Sequence, residues 1–159
     1  MDADHLAAWR TLRKPWVEWR NAATCSRGRV RPDGYGLYRQ GGQYYGFFLE
    51  YDRGTMSDRG YREKLAAYGD YFESGRYVRD YTGFPTILVI AADRAAEERI
   101  ARAARIVTLG RQTRIPVLLT ATWRIDGPGN SNGLLSPIWR EIDGSFLDRR
   151  HWQSDGSSR

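Results

Sequence analysis

Cysteine and histidine are scarce in this chain, and their scarcity excludes two classes of site. Cys25 is the single cysteine among 159 residues, so an internal disulfide cannot form. The two histidines, His5 and His151, are isolated and lack the spacing of a zinc site. Neither histidine lies beside the cysteine in the sequence. The composition therefore argues against a structural zinc and against a thiol–histidine catalytic pair.

Long apolar runs are also missing. The longest covers residues 86–92, whereas a membrane-spanning helix needs about 20 apolar residues. No charged and then apolar leader precedes it, so we expect a cytoplasmic protein with no membrane partner. A hydrophobic fraction of 41% with 28% charged residues is ordinary for one globular domain. We place that domain at 1–152, with 1–29 as a basic helical segment packed on it and 153–159 as a disordered tail.

Positive charge is concentrated near the N-terminus. The formal net charge is +6, and residues 10–31 hold seven cations and a single acid, which accounts for the whole excess. A polyanion-binding surface has this distribution, and so has a solvated basic face. Taking DNA as the expected partner, the candidate phosphate-binding residues are Arg10, Arg13, Lys14, Arg27, Arg29 and Arg31.

Lysine is the rare cation. Only Lys14 and Lys64 are lysines among the 25 cationic residues. Arginine stays protonated in proteins, whereas the lysine ammonium is a compact charge whose pKa can be tuned. Lys64 is therefore a candidate for electrostatic or proton-handling chemistry.

Hydrophobic periodicity predicts an α/β sandwich with a mixed central sheet flanked by helices. The Gly41-Gly42 pair predicts a two-residue hairpin turn, and Ser57 predicts a helix cap. The predicted elements are helices over 4–14 and 15–23, hairpin strands over 30–39 and 43–52, a helix over 58–74, a strand over 86–91, a helix over 95–109, a strand over 115–123 and a closing segment over 134–146.

The second hairpin strand ends in two acids. Glu50 and Asp52 project from the same face because side chains alternate along a strand. Asp33 lies eight residues before Gly41 and Glu50 lies eight residues after Gly42, so the hairpin places Asp33 opposite Glu50. The three carboxylates predict a hard-oxygen site for Mg²⁺ or Mn²⁺, and Lys64 on the next helix can reach it.

An acid cluster of this kind also has a purely structural interpretation. The same carboxylates could pair with Arg31, Arg39 or Arg53 at the strand edge, and such a cluster needs no metal.

Five stretches resemble the replication-relaxation proteins of plasmids and other mobile elements: residues 31–34, 47–55, 64–68, 84–90 and 135–139. Members of that family usually carry a winged-helix DNA-binding domain ahead of the region matched here. The resemblance therefore implies that a separate DNA-recognition or replication/transfer protein supplies recognition, or that the chain is a separated piece. A homodimer is a further option.

More broadly, the pattern is similar to the PD-(D/E)xK nuclease superfamily of restriction enzymes and Holliday junction resolvases. Pro32-Asp33 matches the first half of that motif and Glu50 the second, while Glu18 stands where a helix-borne acid often assists as a metal ligand. Position 52 departs from the motif, because this chain has Asp52 where the superfamily has lysine.

The resemblance to these nucleases implies a restriction-endonuclease-like fold. It also implies a magnesium-dependent endonuclease that acts on the phosphodiester bonds of DNA. In that enzyme Asp33, Glu50, Asp52 and Lys64 are the catalytic residues, and Lys64 replaces the missing lysine. The alternative is a catalytically inactive nuclease fold that only binds DNA or takes part in assembly.

Overall fold

A mixed six-stranded sheet organises the chain in the computed structural model, which describes residues 16–81, 85–130 and 132–153. The strands lie side by side in sequence order. They are β1 (Trp16–Asn21), β2 (Gly34–Gln40), β3 (Gln43–Tyr51), β4 (Thr86–Ala91), β5 (Val117–Ala121) and β6 (Arg140–Glu141). Strands β1 to β3 form an antiparallel meander, β3 to β5 run parallel, and β6 returns antiparallel to β5. The predicted α/β class and mixed sheet are confirmed.

Two long helices make the parallel connections. The helices are α1 (Ala22–Cys25), α2 (Asp58–Glu73), α3 (Tyr77–Asp80), α4 (Arg94–Leu109) and α5 (Thr122–Ile125), with a 3₁₀ turn at Gly133–Leu135. Helix α2 connects β3 to β4, and α4 connects β4 to β5. The two long helices pack on each other and bury one face of the sheet.

The other face of the sheet is covered by the C-terminal segment. Trp139, Trp152 and Leu134 pack there against Phe47 and Leu49 of β3. Phe48 is equally buried on the helical face. Strand β3 is therefore covered on both sides, so the acids near its end point into the helical layer.

Local sequence signals account for the hairpin and for α2. Gly41 and Gly42 have φ of 57° and 78°, and Gln40 pairs with Gln43 across them, as a two-residue hairpin turn requires. The Ser57 side chain accepts a hydrogen bond from Gly60 N at 3.1 Å and caps α2. Gly75, with φ of 71°, follows the end of α2.

The predicted helix over 15–23 is wrong. Residues Trp16–Asn21 form β1, which pairs with β2, and only the short helix Ala22–Cys25 follows. Without β1, the outer edge of β2 would expose a row of unpaired backbone groups, so ladder formation overrides the local helical period. The predicted helix over 4–14 and most of the tail lie outside the described residues.

The predicted strand over 115–123 is shorter in the structure. It begins at Val117 and ends at Ala121, where α5 starts. Among the described residues, none of the helices has the length and hydrophobicity that a membrane span requires.

Close packing of β1 on β2 yields a stability test at Gly34. A Cβ added there would lie 2.7 Å from Trp19 Cζ2, and the Trp19 ring already packs on Phe47 with centroids 6.2 Å apart. We expect Gly34→Ala to lower the free energy of unfolding by about 1–3 kcal/mol, measured by urea denaturation. Gly110→Ala is the matched control, because nothing lies within 4 Å of its Cβ position. Equal midpoints for the two variants would contradict the packing described for β1.

Candidate functional site

A buried carboxylate under α2 is the centre of the candidate site. Glu50 is 6% exposed and lies on the face of β3 that the helices cover. Lys64 Nζ forms an ion pair with Glu50 Oε2, and the Tyr68 hydroxyl donates to Glu50 Oε1 at 2.5 Å. Lys64 and Tyr68 stand four residues apart, so they share one face of α2. One helix therefore supplies partners to both carboxylate oxygens.

The electrostatic state of Glu50 differs from that of an ordinary glutamate. Burial raises the pKa of Glu50 to about 7, although the Lys64 ammonium and the Tyr68 hydroxyl both act to lower it. The nearby Asp33 carboxylate adds to the increase. Burial and the Glu50 charge in turn raise the pKa of the Tyr68 hydroxyl, which stays protonated as a donor. Glu50 thus changes its charge close to neutral pH.

Asp33 lies where the hairpin register predicts. Strand β2 pairs Gly34 with Leu49, so the next pair outward is Asp33 opposite Glu50. Asp33 N donates to Leu49 O at 2.9 Å, and Asp33 Oδ2 accepts from Tyr51 N at 2.7 Å. Asp33 is exposed, in contrast to Glu50. The site therefore combines one solvent-facing carboxylate with one buried carboxylate.

Asp52 shares a face with Glu50 and contacts the turn that follows β3. Its side chain is buried, and Oδ1 accepts a hydrogen bond from Gly54 N at 2.9 Å. Burial raises the pKa of the Tyr61 hydroxyl on α2, and the neighbouring Asp52 carboxylate raises it further. Asp52 thus serves the turn after β3 and the start of α2. Within the described ranges, no three acidic, histidine or cysteine side chains are grouped so that they could hold a metal ion.

Glu18 is not a helix-borne acid. It lies on β1, opposite Leu37 of β2, and forms an ion pair with Arg20 on the same strand. Leu37 in turn pairs with Gly46, which precedes Glu50 on β3. Measured along the strand direction, Glu18 therefore lies about 13 Å from Glu50. The structure therefore separates Glu18 from Asp33 and Glu50.

The candidate phosphate-binding residues of the basic stretch lie in different environments. Arg27 donates to Thr24 O and Ser26 O at 2.9 Å and lies 3.6 Å from an Asp80 carboxylate oxygen, so it supports the fold locally. Arg29 and Arg31 are exposed. Arg10, Arg13 and Lys14 lie outside the described residues.

The cation that pairs with Glu50 is a lysine. Arg31 Nε donates to Gly28 O at 3.5 Å, and the Arg39 guanidinium lies 5.7 Å from the centroid of the Tyr44 ring. Lys64, and neither Arg31 nor Arg39, is therefore the ion-pair partner of Glu50.

Tyr68 is the site residue that sequence reasoning missed. It stands at helical spacing with Tyr61, Leu65 and Phe72 on α2, which is typical of a buried face, and all four side chains are buried. A buried tyrosine hydroxyl needs a hydrogen-bond partner, and Lys64 lies one helical turn away. That combination is the signal that could have identified Tyr68 as a second partner of Glu50.

Comparison with known proteins places the chain in a family. The family model described as replication-relaxation matches residues 2–87, more than half of the chain. The chain belongs to the replication-relaxation family. The matched region includes the hairpin and α2, so it contains the four site residues Asp33, Glu50, Lys64 and Tyr68. The motif at 135–139 lies outside the matched region. No curated protein and no solved structure matches the chain.

Titration of Glu50 in this replication-relaxation protein predicts a pH-dependent stability. The pKa of a glutamate is about 4.3 in the unfolded chain, whereas the pKa of Glu50 in the folded chain is about 7. Between these two pH values the glutamate is ionised in the unfolded chain and still protonated in the folded chain. The free energy of unfolding therefore falls as pH rises through this window, by a few kcal/mol in total. Relative to Glu50→Gln, the wild-type chain should lose stability from about pH 4 to about pH 7, measured by urea denaturation.

Glu63→Gln is the matched control for this measurement. Glu63 lies on α2, pairs with Arg59 and is exposed, so this variant should follow the wild-type chain at every pH. A constant difference between the wild-type chain and Glu50→Gln across the pH range would show that Glu50 titrates as an ordinary carboxyl.

Proposed function

We propose that this chain is a metal-dependent DNA endonuclease of the PD-(D/E)xK type with a restriction-endonuclease-like fold. Membership of the replication-relaxation family suggests a role in the replication of plasmids or other mobile elements, and we place the cleavage of phosphodiester bonds within that role. One observation carries the proposal. Glu50 is buried, paired with Lys64 and opposite Asp33 at the end of a rigid hairpin.

The donor set suits Mg²⁺ or Mn²⁺ through two carboxylates rather than three. Magnesium usually keeps several waters and takes one or two carboxylates together with substrate phosphates. Asp33 and Glu50 would be those ligands, and neither Asp52 nor Glu18 is required. When bound, the ion would polarise the phosphodiester and lower the pKa of a bound water.

Lys64 supplies the positive charge of the proposed site. Its ammonium contacts Glu50, and the side chain is 27% exposed, so it reaches from the buried carboxylate toward solvent. A lysine in this position can neutralise charge on phosphate oxygens or donate a proton to the leaving oxygen. The helix thereby replaces the lysine that the nuclease motif carries at position 52.

Tyr68 and the hairpin position the carboxylates. The Tyr68 hydroxyl fixes Glu50 Oε1, and the backbone N–H of Tyr51 fixes Asp33 Oδ2. One oxygen of each carboxylate is therefore held in position by a hydrogen bond. Because the pKa of Glu50 is about 7, the residue is able to exchange a proton at neutral pH.

A second candidate function is a nuclease fold that binds DNA without cutting it. Two observations favour it. Asp52 stands at the lysine position of the motif, and its carboxylate accepts a hydrogen bond from Gly54 N in the turn after β3. In the described part of the chain, no three acidic, histidine or cysteine side chains are grouped so that they could hold a metal ion. The Glu50–Lys64 pair would then be a buried structural ion pair.

Plasmid cleavage decides between these two functions. With Mg²⁺ or Mn²⁺, the wild-type chain should nick or linearise plasmid DNA, and Glu50→Gln should reduce the rate by about 10²-fold or more. Glu63→Gln, the same chemical change at an exposed position of α2, should cleave at the wild-type rate. Equal rates for Glu50→Gln and the wild-type chain would end the catalytic assignment, and DNA binding without cleavage would support the second function.

Metal binding can be measured without DNA. Millimolar Mn²⁺ should raise the melting temperature of the wild-type chain, because a ligand that binds only the folded state stabilises it. The increase should be larger at pH 8 than at pH 6, since Glu50 must lose its proton to act as a ligand. Asp33→Asn should abolish the increase, whereas Asp143→Asn at an exposed distant position should retain it. An increase that survives Asp33→Asn would rule out this pair as the metal site.

A further inference from the structure

A group of arginine and aromatic side chains lies at the carboxyl end of the parallel strands, around the segments that follow β4 and β5. We call it the Arg–Trp patch, and its members are Arg94, Trp123, Arg124, Phe146 and Arg149. Three guanidinium groups surround the Phe146 ring, at 4.0 Å for Arg94, 4.7 Å for Arg124 and 4.8 Å for Arg149. Arg124 also lies 4.2 Å from the Trp123 ring. Such stacking holds the cations at fixed positions.

The patch has more positive charge than its acids neutralise. Arg149 pairs with the buried Glu97 at 2.7 Å, and Arg140 pairs with Glu98 at 2.6 Å. In the part of the chain that the structure describes, the ion pairs of this region involve Arg140 and Arg149, and neither Arg94 nor Arg124 takes part in one.

The environment of Arg124 is unfavourable for a cation. Burial lowers the pKa of Arg124, and the charges of Arg94 and Arg140 lower it further, while Glu97 acts in the opposite direction. An anion bound at the patch would relieve this repulsion.

Trp123 adds an exposed aromatic surface beside these charges. Its side chain is 52% exposed although Arg124 covers part of the indole. The position is rigid, because the Thr122 hydroxyl donates to Ala91 O and Ala92 O at 2.9 and 3.1 Å. These bonds tie the start of α5 to the end of β4. The indole is therefore held at the surface next to two cations that form no ion pair.

The patch and the candidate site occupy the same edge of the sheet. Strands β3, β4 and β5 are parallel, so their carboxyl ends meet at one edge. Glu50 lies near the end of β3, and Trp123 follows β5, two strands away and about 10 Å across the sheet. The patch and the exposed Asp33 beside Glu50 therefore lie along one edge of the sheet.

We propose that the Arg–Trp patch binds single-stranded DNA, with a base stacked on Trp123 and phosphates held by Arg94 and Arg124. Bases in a duplex are covered by their neighbours, whereas an unpaired base offers its face to an exposed indole. The choice of DNA as the polyanion rests on the proposed function. The stacking geometry and the charge excess are independent of Glu50.

Fluorescence anisotropy with labelled oligo-dT in EDTA tests the patch without cleavage. Trp123→Ala should weaken binding about tenfold, and Trp123→Phe should retain most of the affinity because a benzyl ring still stacks. Arg124→Gln should weaken binding and make the slope of log affinity against log salt shallower by about 0.7. Arg102→Gln, the same charge change on exposed α4 surface, should bind almost as the wild-type chain does.

The outcomes separate this inference from the proposed function. If Trp123→Ala binds oligo-dT as tightly as the wild-type chain while its melting temperature is unchanged, the patch assignment is wrong. Competition by polyglutamate as effective as by oligo-dT would also overturn it, because it would show a site for any polyanion. Binding that depends on Trp123 in a chain that cuts no plasmid would retain the patch and reject the endonuclease.

Discussion

The burial of the Glu50 carboxylate under α2 is the constraint on which the site depends. An ionised carboxylate loses its hydration there, so it needs a cation and a hydrogen-bond donor. Lys64 and Tyr68 supply both from one helix face, and their spacing fixes how α2 lies across β3. The compensation is incomplete, since the pKa of Glu50 is still about 7. The folded chain thus holds a carboxyl group that is poised between its charged and neutral forms.

The topology explains why the functional side chains meet at one edge. The antiparallel hairpin returns the start of β2 to the end of β3, which sets Asp33 beside Glu50. The parallel half of the sheet then places the segments after β3, β4 and β5 at the same edge, as in other open α/β sheets that bind ligands there. Lys64 and Arg94 come from the two crossover helices, whereas Glu50 lies on β3 and Asp33 directly precedes β2.

Features encoded by local chemistry were predictable from the sequence. The hairpin follows from Gly41-Gly42, the start of α2 from Ser57, and the Glu50–Lys64 contact from the alternation of β3 and the period of α2. Features decided by tertiary contacts were not. Pairing with β2 makes residues 16–21 a strand and removes Glu18 from the site, while Gly54 N attracts the Asp52 carboxylate. The Arg–Trp patch joins residues from three separate segments, which no local pattern connects.

The Lys64 ammonium and a metal ion would compete for the same oxygen of Glu50. Lys64 forms an ion pair with Glu50 Oε2. A cation bound there would displace the ammonium, and the long flexible lysine stem could then carry its charge toward solvent, where a phosphate would lie. An arginine fork, with its fixed planar geometry, would exchange partners less readily. Under the proposed function, the choice of lysine in a chain that otherwise uses arginine almost throughout fits a cation that moves when substrate binds.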